Sequence, residues 1–95
     1  MAMRVGLCTV ELYLPGKQSL KAKRQILSSL IARLRGRLNI SVAEVGDQDL
    51  WQKTVIGIVC VANETGRVNQ ILDHGLNLIR ANPSLELLRS KIEIL

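Results

Sequence analysis

Thr54-Val-Ile-Gly-Ile-Val-Cys-Val-Ala62 is the most strand-like run in the chain, and its reading decides the fold. Its nine residues are rich in valine and isoleucine. They are apolar on both faces, as a central strand should be. Gly57 interrupts the run at a place suited to a bulge or a close contact. Upstream lies a polar connection, Gly46-Asp-Gln-Asp-Leu-Trp-Gln-Lys53, and before it Asn39 to Val45 reads as a second strand. Two strands joined by so short a polar segment form an antiparallel pair.

The N-terminal stretch from Arg4 to Leu14 has period two. Cys8, Val10, Leu12 and Leu14 alternate with Leu7, Thr9, Glu11 and Tyr13. Pro15-Gly16 breaks it, and Ser19 is placed to cap a helix from Leu20 to about Leu38. Leu20, Leu27, Ile31, Leu34 and Leu38 define the expected buried line of that helix. A second helix from Thr65 to Ala81, capped by Asn63 or Thr65, buries Val68, Ile71, Leu72, Leu76 and Ile79 and ends at Asn82-Pro83. Gly75 at the centre of this stripe permits close approach to the sheet or to the first helix. About Leu87 to Ile94 reads as a final strand, with a helical turn over Leu85 to Leu88 as the other reading of its start. The order β-α-β-β-α-β over 95 residues is that of one α+β, ferredoxin-like domain spanning residues 1–95. Both helices are expected on one face of a four-stranded antiparallel sheet.

The aliphatic content supports a packed core: leucine, isoleucine and valine number 16, 9 and 8. No apolar run reaches the roughly 18 residues of a membrane span, and the N-terminus carries no signal-peptide pattern. A cytoplasmic protein is expected. Cys8 and Cys60 lie within apolar strands and read as buried thiols. Two cysteines and a single histidine cannot assemble a four-ligand Cys/His zinc site.

Charge is concentrated. The chain carries +5 overall, yet Lys17, Lys21, Lys23, Arg24, Arg33, Arg35 and Arg37 fall in 21 residues that contain no acid. That segment is +7 and the remainder is −2. A basic block of this kind suits a polyanion, with snorkelling side chains on a solvated helix as the plainer reading. Lys21, Arg24 and Arg35 border the apolar stripe on one side, continuing from Lys17. Lys23, Arg33 and Arg37 border it on the other. The first set is the candidate phosphate-binding surface, since it begins near the helix N-terminus.

Arg4-Val5-Gly6-Leu7, Leu14-Pro15-Gly16 and Ser19-Leu20-Lys21-Ala22-Lys23-Arg24 resemble the opening of the bacterial YlxP-like family. Ser41-Val42-Ala43-Glu44-Val45, Asp49-Leu50-Trp51-Gln52 and Ala62-Asn63 resemble its middle. The resemblance runs from Arg4 to about Leu95 and implies a ferredoxin-like domain of unknown function. Genes of that family often neighbour those of translation initiation and ribosome-binding factors. The resemblance therefore implies a bacterial cytosolic protein tied to translation or ribosome assembly, and it supplies no reaction, cofactor or site residue.

The residues themselves offer little catalysis. Glu44, Asp47 and Asp49, with Gln48 and Gln52, cluster at one connection, where acids could hold Mg²⁺ or exchange protons. Their composition also suits a hydrogen-bonded turn, which is the expectation here. His74 reads as a helix-surface residue. Walker and Gly-rich dinucleotide motifs are missing, and no cofactor or metal is expected. RNA-recognition domains of this fold stack bases on aromatics in the central strands. Only Tyr13 is available there, so RNA contact would run through phosphates and the first helix, with Trp51 as the one stacking or partner-contact residue; a packing anchor at a loop or interface is the plainer reading of Trp51.

Three functional classes emerge. A non-catalytic RNA- or ribosome-associated accessory factor comes first. The alternative is a homo-oligomeric small-ligand-binding regulatory module, and an enzyme built on Glu44, Asp47 and Asp49 comes last. A homodimer is expected in any case. With both helices on one side of the sheet, Val5, Leu7, Thr9 and one face of Thr54 to Ala62 form an uncovered apolar surface.

Overall fold

The computed structural model describes residues 1–16 and 19–95. Six elements follow in order: β1 (Arg4–Tyr13), α1 (Leu20–Arg37), β2 (Ser41–Gly46), β3 (Lys53–Ala62), α2 (Thr65–Arg80) and β4 (Glu86–Ile94). The strands form one sheet in the order β2-β3-β1-β4, and every neighbouring pair is antiparallel. This is the ferredoxin-like α+β architecture. The apolar run Thr54 to Ala62 lies within β3, flanked by β1 and β2, with one face under the helices and Val59 and Val61 exposed on the other.

Register settles which residues face the helices. Cys8 pairs with Ile58, Val10 with Ile56 and Leu12 with Thr54, and all six are buried. These residues form the floor of the core. α2 lies over β1 and β3 and contributes Val68, Leu72, Leu76 and Ile79, while α1 lies over β2. Leu27, Leu30 and Leu34 of α1 complete the cluster.

Local chemistry places the helix ends. The Ser19 hydroxyl accepts a hydrogen bond from the Ala22 N–H at 3.1 Å, capping α1. α2 differs from expectation: its N-cap is Glu64, which makes no side-chain cap bond. The close helix–sheet approach also falls elsewhere. A Cβ on Gly6 would collide with Cγ1 of the buried Val68, so α2 sits down on β1 at Gly6. At Gly75 a Cβ would lie an ordinary 3.6 Å from Leu38. Gly57 faces Val45, which bulges out of β2 between Glu44 and Gly46; a Cβ there would lie 3.3 Å from the valine.

The rotation of α1 about its own axis is the main departure from the sequence reading. The fully buried positions are Lys23, Leu27, Leu30 and Leu34. Leu20, Ile31 and Leu38 are only half-buried. Lys23 therefore does not border the apolar stripe as a solvated base. It lies on the stripe's central line and retains 1% exposure.

Candidate nucleic-acid interface

Burying an ammonium requires partners for its three N–H groups. The Lys23 Nζ donates to the carbonyl of Asp47 at 2.7 Å and to that of Leu50, and lies 3.0 Å from Glu44 Oε2. The Gln48 carbonyl stands further off, at 3.5 Å. Glu44 is on the inward face of β2, level with Ile56, and its Oε2 also accepts from the buried Thr54 hydroxyl at 2.6 Å. One lysine of α1 thus joins the helix to β2 and the connection after it, and Glu44 carries the link on to Thr54 of β3.

That connection carries Trp51. The chain turns at Asp47, whose φ of 56° is in the left-handed region that Asp tolerates better than most residues. The Leu50 N–H closes the turn onto the Asp47 carbonyl at 3.1 Å. Lys23 holds the Leu50 carbonyl on one side of Trp51, and the Leu14 N–H holds the Gln52 carbonyl at 2.8 Å on the other. Trp51 itself remains 44% exposed, beside an exposed Leu50. Its backbone is fixed at both flanks while its indole is open to solvent, which suits a contact residue better than a core anchor.

The acids of this region have separate placements. Glu44 is engaged with Lys23 and Thr54, Asp47 forms the turn, and Asp49 is exposed. Among the described residues no group of three His, Cys, Asp or Glu side chains could hold a metal ion.

The candidate phosphate-binding bases lie on the opposite flank of α1 from Arg33 and Arg37. Lys17 falls outside the described residues. Lys21, Arg24 and Arg35 are exposed. At 100° per residue these three occupy a 60° arc, with Arg24 and Arg35 about 16 Å apart along the axis. Arg24 and Arg35 border an open groove of about 520 Å³ between α1 and the edge strand β2, floored by Leu27, Ile31 and Val42. Arg35 is partly anchored there, since its Nη2 donates to the Val42 carbonyl at 2.9 Å. The remaining guanidinium donors stay available. No acid occurs anywhere in α1, and its exposed bases form no ion pair among the described residues. Lys23 is the base whose place the sequence pattern hides. Its spacing of four, seven and eleven residues before Leu27, Leu30 and Leu34 is the one local signal of its burial.

The family model described as "Protein of unknown function (DUF503)" matches residues 5–92. The "Uncharacterized protein YlxP" of Bacillus subtilis (strain 168) is 32% identical over 82 residues, covering 86% of this chain and 89% of that protein. Among solved structures, the de novo designed protein Foldit4 superposes with a TM-score of 0.57 at 7% identity, covering 98% of this chain and 96% of its own. A C-terminal segment of the alpha subunit of aIF2 from Pyrococcus abyssi gives 0.55 at 14% identity, covering 94% of this chain and 51% of that one. At such identities the two structures speak for the fold alone.

Proposed function

This chain belongs to the DUF503 family of proteins of unknown function, and on that premise we propose that it is a cytoplasmic, non-catalytic accessory factor that binds RNA or a ribosomal subunit. The observation that carries the reading is the acid-free helix α1, whose exposed bases Lys21, Arg24 and Arg35 share one arc beside β2. Arginine forks and a lysine spaced along one helix face suit successive phosphates. Trp51, fixed in its loop and open to solvent, is the partner-contact residue that can stack on a base. The sheet itself offers no stacking platform: Tyr13 is its only aromatic residue and stands at a strand end.

The test is titration of poly(U) RNA and of purified ribosomal subunits at two salt concentrations. K21Q/R24Q/R35Q should weaken binding strongly and reduce the salt slope on poly(U) by up to about two units, roughly 0.7 for each phosphate no longer neutralised on a single strand. R33Q/R37Q is the control and should matter less; Lys23 has no place in it, being buried. Equal binding by both variants, or wild-type binding that ignores salt, would overturn the reading.

The groove between α1 and β2, lined by Arg24, Arg35 and Glu44, favours one alternative, a homo-oligomeric regulatory module that binds a small ligand there. A ligand-dependent thermal shift in protein that binds neither poly(U) nor ribosomal subunits would select it.

A further inference from the structure

We propose that the sheet face opposite the helices is a two-fold interface with a second copy of this chain. β1, β3 and the bulge of β2 place Val5, Leu7, Val45, Val55, Val59 and Val61 on that face. Val45, Val59 and Val61 are 57%, 41% and 49% exposed. Such valines sit on an open strand at the cost of leaving apolar area in water, and contiguous rows of them mark interfaces.

The charges of the face identify the occupant. Glu11, Glu86 and Glu93 share it with Lys53, Arg89 and Lys91, three acids against three bases. Several are already interleaved: Arg89 Nε lies 3.7 Å from Glu11 and Lys91 Nζ lies 2.9 Å from Glu93. A face that is neutral within a +5 molecule has no pull on a polyanion. Both signs around an apolar centre are what a two-fold contact needs, because each patch meets its own copy. An acidic or a basic partner would meet like charges on half of the border.

Size agrees. Strands of 10, 6, 10 and 9 residues, rising about 3.3 Å per residue and about 4.8 Å apart, present a footprint of roughly 550 Å². Its accessible area is larger, in the class of the ~800 Å² per partner of a standard stable interface. Packed face to face, about 10 Å apart, the two sheets become the centre of the assembly and both α1 helices lie on its outside. The proposal therefore stands whether or not α1 binds RNA.

Sedimentation equilibrium over a concentration series of the full chain tests it, with circular dichroism as the check on folding. The wild type should dimerise at micromolar concentration, with little dependence on salt. V59E should raise the dissociation constant at least about tenfold, because each subunit then buries a new carboxylate. V61E is the second variant and decides the matter if V59E fails to fold. Q70E, which adds the same charge on the exposed surface of α2, should leave assembly unchanged. A wild type that stays monomeric to ~100 µM, or a dimer that tolerates both valine substitutions, would overturn the proposal.

Discussion

Lys23→Met keeps the length and packing of the side chain and removes only the ammonium. The carbonyls of Asp47 and Leu50 then lose their donor and the Glu44 carboxylate loses its counter-charge. Removing one partner from a buried ion pair costs about 3–5 kcal/mol, since the other charge is left without compensation. Here the lower end applies. Glu44 keeps 21% side-chain exposure and its bond from Thr54, so water reaches the stranded carboxylate. A loss of about 3 kcal/mol is a large part of the ~5–15 kcal/mol that holds a domain folded. It should lower Tm by roughly 12–24 °C in a chain of this size. Urea unfolding read by circular dichroism gives the free energy. Native Trp51 fluorescence reports separately on the loop, and should shift to the red as the grip on the Leu50 carbonyl is released. K23M/E44Q removes the unpaired charge as well, and should recover about 1–2 kcal/mol of the loss. A K23M protein within about 0.5 kcal/mol of wild type, or a double variant whose losses simply add, would refute the idea that Lys23 joins helix to loop.

The two glycines give opposite expectations. G6A should destabilise by about 2 kcal/mol by driving a methyl group into Val68; G75A adds a methyl at ordinary contact distance and removes a helix-interior glycine, so it should be neutral or stabilise by up to about 1 kcal/mol. Thermal melts of the pair check both. Burial pushes the thiols of Cys8 and Cys60 above their ordinary 9.0; at Cys8 a backbone hydrogen bond at Lys91 opposes the rise and the Asp73 carboxylate adds to it, and at Cys60 a backbone hydrogen bond at Gly6 opposes it. The folded state thus holds these protons more tightly than the unfolded chain does. This contribution is complete below pH 9.0 and disappears as pH rises through the folded values. C8A/C60A should show a shallower alkaline decline in its urea midpoint, and an unchanged decline counts against the thiols as its source. D47N/D49N should fold normally and bind poly(U) about as well as wild type, because asparagine also tolerates the left-handed turn; metal-dependent phosphoester hydrolysis that disappears in this variant would reveal an enzyme.

Periodicity by itself determined the element order, the central place of Thr54 to Ala62 and the inward set Cys8, Val10, Leu12 and Leu14. These follow from the two-residue repeat of a strand and the exclusion of apolar side chains from water, which are local in sequence. The Ser19 cap and the acid-free character of α1 were legible for the same reason. The tertiary structure alone decided how α1 is rotated about its axis, and with it the role of Lys23. A lysine enters a core only where acceptors converge on it, and its acceptors lie 21 to 27 residues away, on β2 and the following turn. Hydropathy assigns such a residue to the surface, because its burial depends on partners no local window contains. The same holds for Gly6, whose neighbour Val68 belongs to the other layer, and for the neutrality of the outer sheet face. Strand pairing brings Glu11, Arg89, Lys91 and Glu93 together from opposite ends of the chain, and charge adds up over a surface rather than along a sequence.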